Sequence, residues 1–142
     1  MTADPGTTAS TVTDAVAVLG RAAHRVERRI EAVVRGPEGP GLDGWRVLDL
    51  LSDGAGHPMS EIAAHAMVPA PTLTKIVDRL ADRGLVYRRP DDADRRRVLV
   101  LLADHGRAEH ARLAPRVAEV GAGLAAALGD DAAAVLAALE RL

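Results

Sequence analysis

The chain contains no cysteine and no phenylalanine, and it has one tryptophan, one tyrosine and one lysine among its 142 residues. The absence of cysteine excludes disulfides, thiolate metal sites and thiol-based redox sensing. Because aromatic residues are so scarce, alanine, valine, leucine and isoleucine must build the core, a composition typical of closely packed helices. The chain length fits a single domain that buries roughly two thirds of its unfolded surface.

The sequence shows no evident targeting or membrane-spanning segment. The N-terminus does not combine a basic stretch with an apolar signal core, and we find no apolar run that approaches the length of a membrane span. We therefore expect a soluble, cytoplasmic protein with no membrane partner.

The spacing of apolar residues predicts a mainly α fold with a small β-hairpin. From Val12 to Val33 the apolar residues recur at alternating steps of four and three, which indicates an amphipathic helix suited to packing against other helices. Further on, a helix, a tight turn, a second helix and two extended runs around a charged loop follow in the order of a winged helix-turn-helix. Helices with apolar stripes complete the chain after Asp104.

Charge is unevenly distributed along the chain. Residues 70–97 carry eight basic and five acidic side chains, whereas the remaining residues carry ten basic and fifteen acidic ones. On the second helix of the helix-turn-helix, helical spacing puts Thr72, Lys75 and Arg79 on one side and apolar residues on the other. This polar side and the hairpin tip are therefore the expected contact surface for a polyanion such as duplex DNA.

The segment that carries these charges resembles a known family. The run from PTLTKIVDRL at 71–80 through RGLVYRRP at 83–90 to DRRRVLVLL at 94–102 closely resembles the recognition helix and wing of the MarR family, and the similarity extends from about Val12 to Leu142. The resemblance implies a transcriptional repressor that binds a pseudo-palindromic operator as a homodimer with intertwined N- and C-terminal helices. It also implies release by a small organic effector, bound between the dimer interface and the DNA-binding lobe.

The resemblance assigns DNA contacts to the second helix and the wing. Arg96 matches the arginine that enters the minor groove, and Asp94 is positioned to brace it. Pro69 and Ala70 depart from the family's pattern, which has Ser and Arg before the Pro-Thr pair, so we expect sequence readout to depend more on Lys75 and the wing. The predicted DNA-binding residues are Pro71, Thr72, Thr74, Lys75, Arg79, Asp94, Arg95, Arg96 and Arg97.

Other sites have less support in the sequence. His105 and His110 lack the spacing of two metal ligands on one helix face and the other histidines are scattered, so no metal site is expected. No phosphate loop, nucleophile turn or paired-carboxylate motif is present, so we predict neither an enzyme nor a cofactor. The effector is expected near His24 and Trp45, although a lone tryptophan is more often a core anchor.

These interpretations divide the chain into three predicted regions. Residues 1–10 form a disordered lead-in, residues 11–36 and 103–142 form a helical dimerisation region, and residues 42–102 form the winged helix-turn-helix DNA-binding lobe. The alternative is a helical dimerisation or protein-interaction module whose winged helix no longer reads DNA, an interpretation that the departures at Pro69 and Ala70 leave open.

Overall fold

A computed structural model describes residues 5–142, with side chains from residue 14 onward, as a mainly α structure with one small antiparallel sheet. The mainly α, winged helix-turn-helix fold predicted from the sequence is confirmed. In chain order, the elements are α1 (Pro5–Val34), α2 (Gly41–Leu51), β1 (His57–Pro58), α3 (Met59–Ala66), α4 (Ala70–Asp82), β2 (Val86–Pro90), β3 (Val98–Leu102), α5 (Asp104–Leu128) and α6 (Ala132–Leu139).

The central lobe packs α2, α3, α4 and the sheet around one apolar core. The core forms because each helix carries aliphatic residues at spacings of three and four, which puts them on one face. The sheet closes the core with the inward-facing residues of β2 and β3. The fully buried side chains of this cluster include Val47, Leu48, Leu51, Ile62, Leu73, Val77, Leu80, Leu85 and Val100.

The sheet has three strands in the order β1-β3-β2. β2 and β3 form the expected hairpin, in register from Val86 opposite Leu102 to Pro90 opposite Val98. The third strand is β1, in which His57 lies opposite Val100. The sequence did not predict this pairing, because it depends on how α2 packs against the hairpin.

A smaller apolar cluster joins α1 and α5 to the lobe. Trp45 of α2 is only 6% exposed and packs with Val34 and Leu113. Polar contacts fix the same junction, since the Leu42 amide at the start of α2 donates to Glu31 Oε2 at 2.6 Å. A carboxylate at a helix N-terminus satisfies an unpaired amide and interacts favourably with the helix dipole.

Gly106 lies where α5 approaches the lobe most closely. A Cβ at this position would collide with the Leu85 carbonyl oxygen and come within 3.0 Å of Leu102 Cδ2. The same carbonyl oxygen accepts a hydrogen bond from the Ala103 amide at 3.0 Å. The approach therefore requires glycine, and it fixes the direction in which α5 leaves the sheet.

The first helix begins earlier than the apolar pattern predicted. The backbone is helical from Pro5, so residues 5–10 of the predicted lead-in belong to α1, whereas residues 1–4 lie outside the described part of the chain. Proline is compatible with the first helical turn, where its missing N–H would have no intrahelical partner. The expectation failed because small polar residues show no periodicity, while a helix that has already nucleated extends through them at little cost.

The C-terminal helices are more apolar than the sequence reading assumed. The segment Asp104–Leu139 contains a stretch that is long and apolar enough to cross a membrane by length and composition, and none of that stretch is buried. The expectation that no apolar run reaches this length is therefore wrong, because many alanines raise the average hydropathy without forming an obvious block of large apolar residues. The segment is not one continuous helix, since α5 ends at Leu128, its C-cap Gly129 has φ 62°, and a 3-10 turn, Gly129–Asp131, follows.

Candidate nucleic-acid interface

A tight turn joins α3 to α4. Met67 adopts the left-handed conformation, with φ 57°, and the Val68 amide donates to the Ala63 carbonyl at 3.2 Å, which ends α3. Pro69 then occupies the N-cap position of α4, and Pro71 lies in the first turn. The buried face of α4 packs into the core of the lobe, so the turn fixes which face of α4 is exposed.

The exposed face of α4 carries every DNA-contacting residue that was predicted on this helix. These residues are Pro71, Thr72, Thr74, Lys75 and Arg79. Thr74 Oγ1 donates to the Ala70 carbonyl at 3.1 Å, so its hydroxyl already has a partner within the helix. Lys75 forms no ion pair with any carboxylate in the described part of the chain. Its ammonium group is therefore free to bind an external acceptor.

The hairpin tip holds Arg96 in the arrangement expected from the sequence. Asp94 Oδ1 accepts from the Arg96 backbone amide and from Nε, both at 3.1 Å, and Asp94 Oδ2 accepts from Nη2 at 3.3 Å. These bonds, the side-chain bond first, hold the pKa of Asp94 below its usual range. The Arg96 side chain is still 91% exposed. The carboxylate therefore orients the guanidinium and leaves it accessible at the tip.

Two further ion pairs organise the wing. Arg88 Nη2 on β2 lies 2.6 Å from Asp78 Oδ1 on α4, which ties the wing to the helix. Arg97 Nε lies 3.8 Å from Asp91 Oδ2 across the loop, whereas Arg95 has no such partner among the described residues. Sequence reasoning missed the role of Arg88, because residues ten apart meet only when the strand and helix are placed. Their opposite charges were the only signal.

The two residues predicted to lie near the effector are in different surroundings. His24 lines an open cavity of about 560 Å³ between α1 and the start of α2, and Arg79 of α4 also lines it. Trp45 does not line this cavity, because it stacks on His110 of α5 with ring centroids 4.9 Å apart. His110 Nε2 lies 2.9 Å from Asp49 Oδ1, which holds the imidazole over the indole. The structure of one chain thus does not bring His24 and Trp45 into one cavity.

His57 is the histidine with the clearest electrostatic environment. Its Nδ1 lies 2.9 Å from Glu61 Oε2 and its Nε2 lies 2.7 Å from Asp53 Oδ2. The bond to Glu61 is the main cause of a raised pKa, burial opposes it, and the bond to Asp53 adds to it. Among the described residues no group of three or more histidine, aspartate and glutamate side chains is arranged to hold a metal ion. His57 links the loop before β1 to α3, and both of its carboxylate partners favour the protonated imidazole.

Comparison with known proteins identifies similar regulators. Residues 43–98, which include α4 and most of the wing, match the model of the MarR family. The HTH-type transcriptional repressor IacR of Pseudomonas putida is 39% identical over 62 residues, which cover 44% of this chain and 37% of that protein. The chain spans about two fifths of the length of the curated relatives it matches.

Solved structures align over more of the chain. The transcriptional repressor CouR, bound to a 23-mer DNA duplex, is 30% identical, with a TM-score of 0.71 and 87% of each chain covered. The PcaV transcriptional regulator of Streptomyces coelicolor, in complex with its natural ligand, is 26% identical, with a TM-score of 0.65 and coverage of 99% of this chain and 95% of that one.

Proposed function

Because this chain belongs to the MarR family of winged helix-turn-helix transcriptional regulators, we propose that it represses transcription in the cytoplasm by binding a pseudo-palindromic operator as a homodimer and is released by a small ligand. The observation that carries the proposal is the exposed polar face of α4 beside the exposed Arg96 of the wing tip. The similarity to CouR, a repressor bound to a DNA duplex, supports it.

In the proposed complex, α4 lies in the major groove with its N-terminal end toward the bases. Pro71, Thr72 and Thr74 contact the backbone and base edges at that end, and Arg79 contacts a phosphate further along the helix. Lys75, one turn into α4, reaches the guanine acceptors O6 and N7. The absence of an ion pair on Lys75 among the described residues supports this role, because no internal contact has to be broken.

The wing supplies the second contact. Arg96 enters the minor groove, where the negative potential attracts a guanidinium. Asp94 keeps that guanidinium in place, and Arg95 and Arg97 bind the flanking phosphates. The Arg88 to Asp78 ion pair supports a fixed angle between wing and helix, which lets both contacts form at once.

The homodimer is proposed from the apolar surface that one chain leaves exposed. Val16 of α1 is 66% exposed and Leu142, beyond α6, is 93% exposed, although both belong to apolar stripes. Residues 11–36 and 103–142 form the proposed dimerisation region, with 42–102 as the DNA-binding lobe. A second copy of the chain that covers these stripes would remove them from water. The dimer would also position its two α4 helices to bind the two half-sites of an operator.

The ligand is proposed to bind in the cavity that His24 lines, beside α2, the helix that carries Trp45. The cavity lined by His24 also contains Arg79, which the DNA complex uses for a phosphate. A small organic molecule in this cavity would compete with DNA for the same guanidinium and would shift the spacing of the two recognition helices. The ligand complex of PcaV supports an effector in a related protein.

Fluorescence anisotropy with a labelled duplex from the DNA flanking the gene tests the proposal. We expect binding that is much tighter than to a scrambled duplex of equal length, and an affinity that falls as salt rises because bound cations are released from the phosphates. Equal affinity for both duplexes, or no binding to either, would favour the interaction-module function instead.

A further inference from the structure

A second cavity lies on the flank of the molecule and is strongly basic. It has a volume of about 490 Å³ and is enclosed by the end of α1, the loop before α2 and the first half of α5. Four arginines and two glutamates line it, so the formal charge of the lining is positive. The charged and titratable residues are Arg35, Arg83, Arg112, Arg116, His105, Glu38 and Glu109.

We propose that this cavity, between Arg83, Arg112 and Arg116, binds the phosphate group of a small anionic molecule. Guanidinium groups present several N–H donors in a fixed plane and pair with oxyanions through two parallel hydrogen bonds. Arg35 is paired with Glu31 Oε1 at 2.8 Å, so the phosphate is assigned to the other three arginines of the lining. A phosphate group near neutral pH carries up to two negative charges, which these guanidinium groups would balance.

The glutamates of this cavity do not neutralise its arginines evenly. Glu109 is engaged by one side chain, since Arg112 Nη2 and Nε donate to its two carboxylate oxygens at 2.7 and 3.0 Å. This fork, with smaller contributions from Arg83 and His105, lowers the pKa of Glu109. Arg116 has no carboxylate partner among the residues that the structure describes. The exposed guanidinium of Arg116 is therefore available to pair with a ligand.

Arg83 is held at the edge of the cavity by the backbone. Its Nη1 donates to the Gly39 carbonyl at 3.2 Å, which uses one of the five N–H donors of a guanidinium. The contact is partly buried, so the side chain is fixed before any ligand arrives. An arginine fixed in this way loses less conformational entropy on binding than a mobile one.

This cavity differs from the one that contains His24. The two share Arg35 and Gly39, but this one faces α5 and Arg83, whereas the other faces α2 and Arg79. Arg83 is the C-cap of α4, at the opposite end from Pro71. A bound phosphate would thus bridge the end of α4 and α5. Any effect of the bound phosphate on DNA binding rests on the proposed function, whereas phosphate binding by the cavity does not.

Calorimetric titration of the full chain with pyrophosphate, without DNA and at an ionic strength held constant with chloride, tests the site. We expect one pyrophosphate per chain and an affinity reduced about tenfold in Arg116→Gln, the effect of losing one charge-assisted hydrogen bond. Glu38→Gln, which removes a negative charge from the lining, should bind more tightly. Inorganic phosphate should bind at the same site more weakly.

Two control variants make the same charge changes on α5 outside the cavity. Arg107→Gln and Glu119→Gln should bind pyrophosphate as the parent chain does. Absence of binding heat, or equal weakening in Arg107→Gln and Arg116→Gln, would overturn the proposal, because the anion would then respond only to net charge.

The same variants separate a free phosphate from the DNA backbone as the occupant. Arg116→Gln should bind the operator duplex as the parent does in the absence of pyrophosphate. A loss of duplex affinity in this variant would reassign the cavity to DNA and contradict the proposal. If no duplex binds at all while pyrophosphate binding persists, the proposed function fails and the anion site stands.

Discussion

Lys75 and Arg96 meet different parts of DNA in the proposed complex, so their substitution should have different effects. Lys75→Ala should bring the affinities for operator and scrambled DNA closer together by about 1–3 kcal/mol, since a base contact forms only on the correct sequence. Arg96→Ala should weaken binding to both duplexes and reduce the salt slope by about one unit. Anisotropy titrations at several salt concentrations measure both effects.

A remote cation provides the control for these variants. Arg141→Ala makes the same change in net charge beyond α6, and it should leave the operator affinity and the ratio of affinities as they are. If Lys75→Ala and Arg96→Ala also bind like the parent at matched salt, the assignment of this surface to DNA is wrong.

His57 should make the stability of the fold depend on pH. Its folded-state pKa is raised, so its contribution is fully present below the unfolded value of about 6.5 and is lost as pH rises through the folded value. Urea unfolding at about pH 5.5 and about pH 8 should show that the parent loses more stability than His57→Gln over this interval. The other histidines titrate in both proteins, so subtracting the two changes in unfolding free energy isolates the effect of His57. If both proteins lose the same amount of stability over this interval, the link to Glu61 and Asp53 adds none.

The sequence revealed residue contacts only where the partners are close along the chain. Asp94 and Arg96 lie in one turn, so their pairing could be predicted from the motif. The contacts of Arg88 with Asp78 and of Trp45 with His110 needed the packing of separate elements, which no local pattern contains. For the same reason the basic cavity, which draws on α1, a loop and α5, could not be predicted.

At the scale of elements, Gly106 tests how closely α5 packs on the lobe. Helix propensity alone predicts that Gly106→Ala stabilises the protein by about 1 kcal/mol. The structure predicts the opposite, because the new methyl group would collide with the Leu85 carbonyl, and steric overlap in a packed region typically costs about 1–3 kcal/mol. Chemical denaturation of the variant measures the sign.

Ala108→Gly on the same helix is the matched control. Ala108 is exposed, so this variant should lose only the propensity difference of about 1 kcal/mol. If Gly106→Ala proves more stable than the parent, then α5 does not approach Leu85 as closely as described.

The elements were predictable where periodicity is strong. The aliphatic spacing of α4 located both its buried face and its exposed face, and the turn residues located the hairpin. Periodicity gave no information at Thr7 to Ser10, where α1 continues, or on the partner strand of His57. In the alanine-rich C-terminal helices it underestimated the exposed apolar length, because small side chains make a weak pattern.

At the scale of the whole molecule, the exposed apolar stripes predict an obligate homodimer. Sedimentation at micromolar concentrations should show two chains, and Leu139→Glu should shift the protein toward monomer because it places a charge in the proposed interface. Leu139 lies outside both buried clusters, so the variant should stay folded and keep the helical circular dichroism signal of the parent. A stable, folded monomer of the parent chain would contradict the prediction.

The central claim is that two copies of α4 and the wing read two halves of one operator. Hydroxyl-radical footprinting of the DNA flanking the gene tests this most directly, with Lys75→Ala as the comparison. The account predicts two protected half-sites on one face of the duplex, with centres about one helical turn apart or a multiple of it, and loss of both in the variant at the same protein concentration. Protection of a single half-site, or protection that Lys75→Ala leaves unchanged, would contradict it.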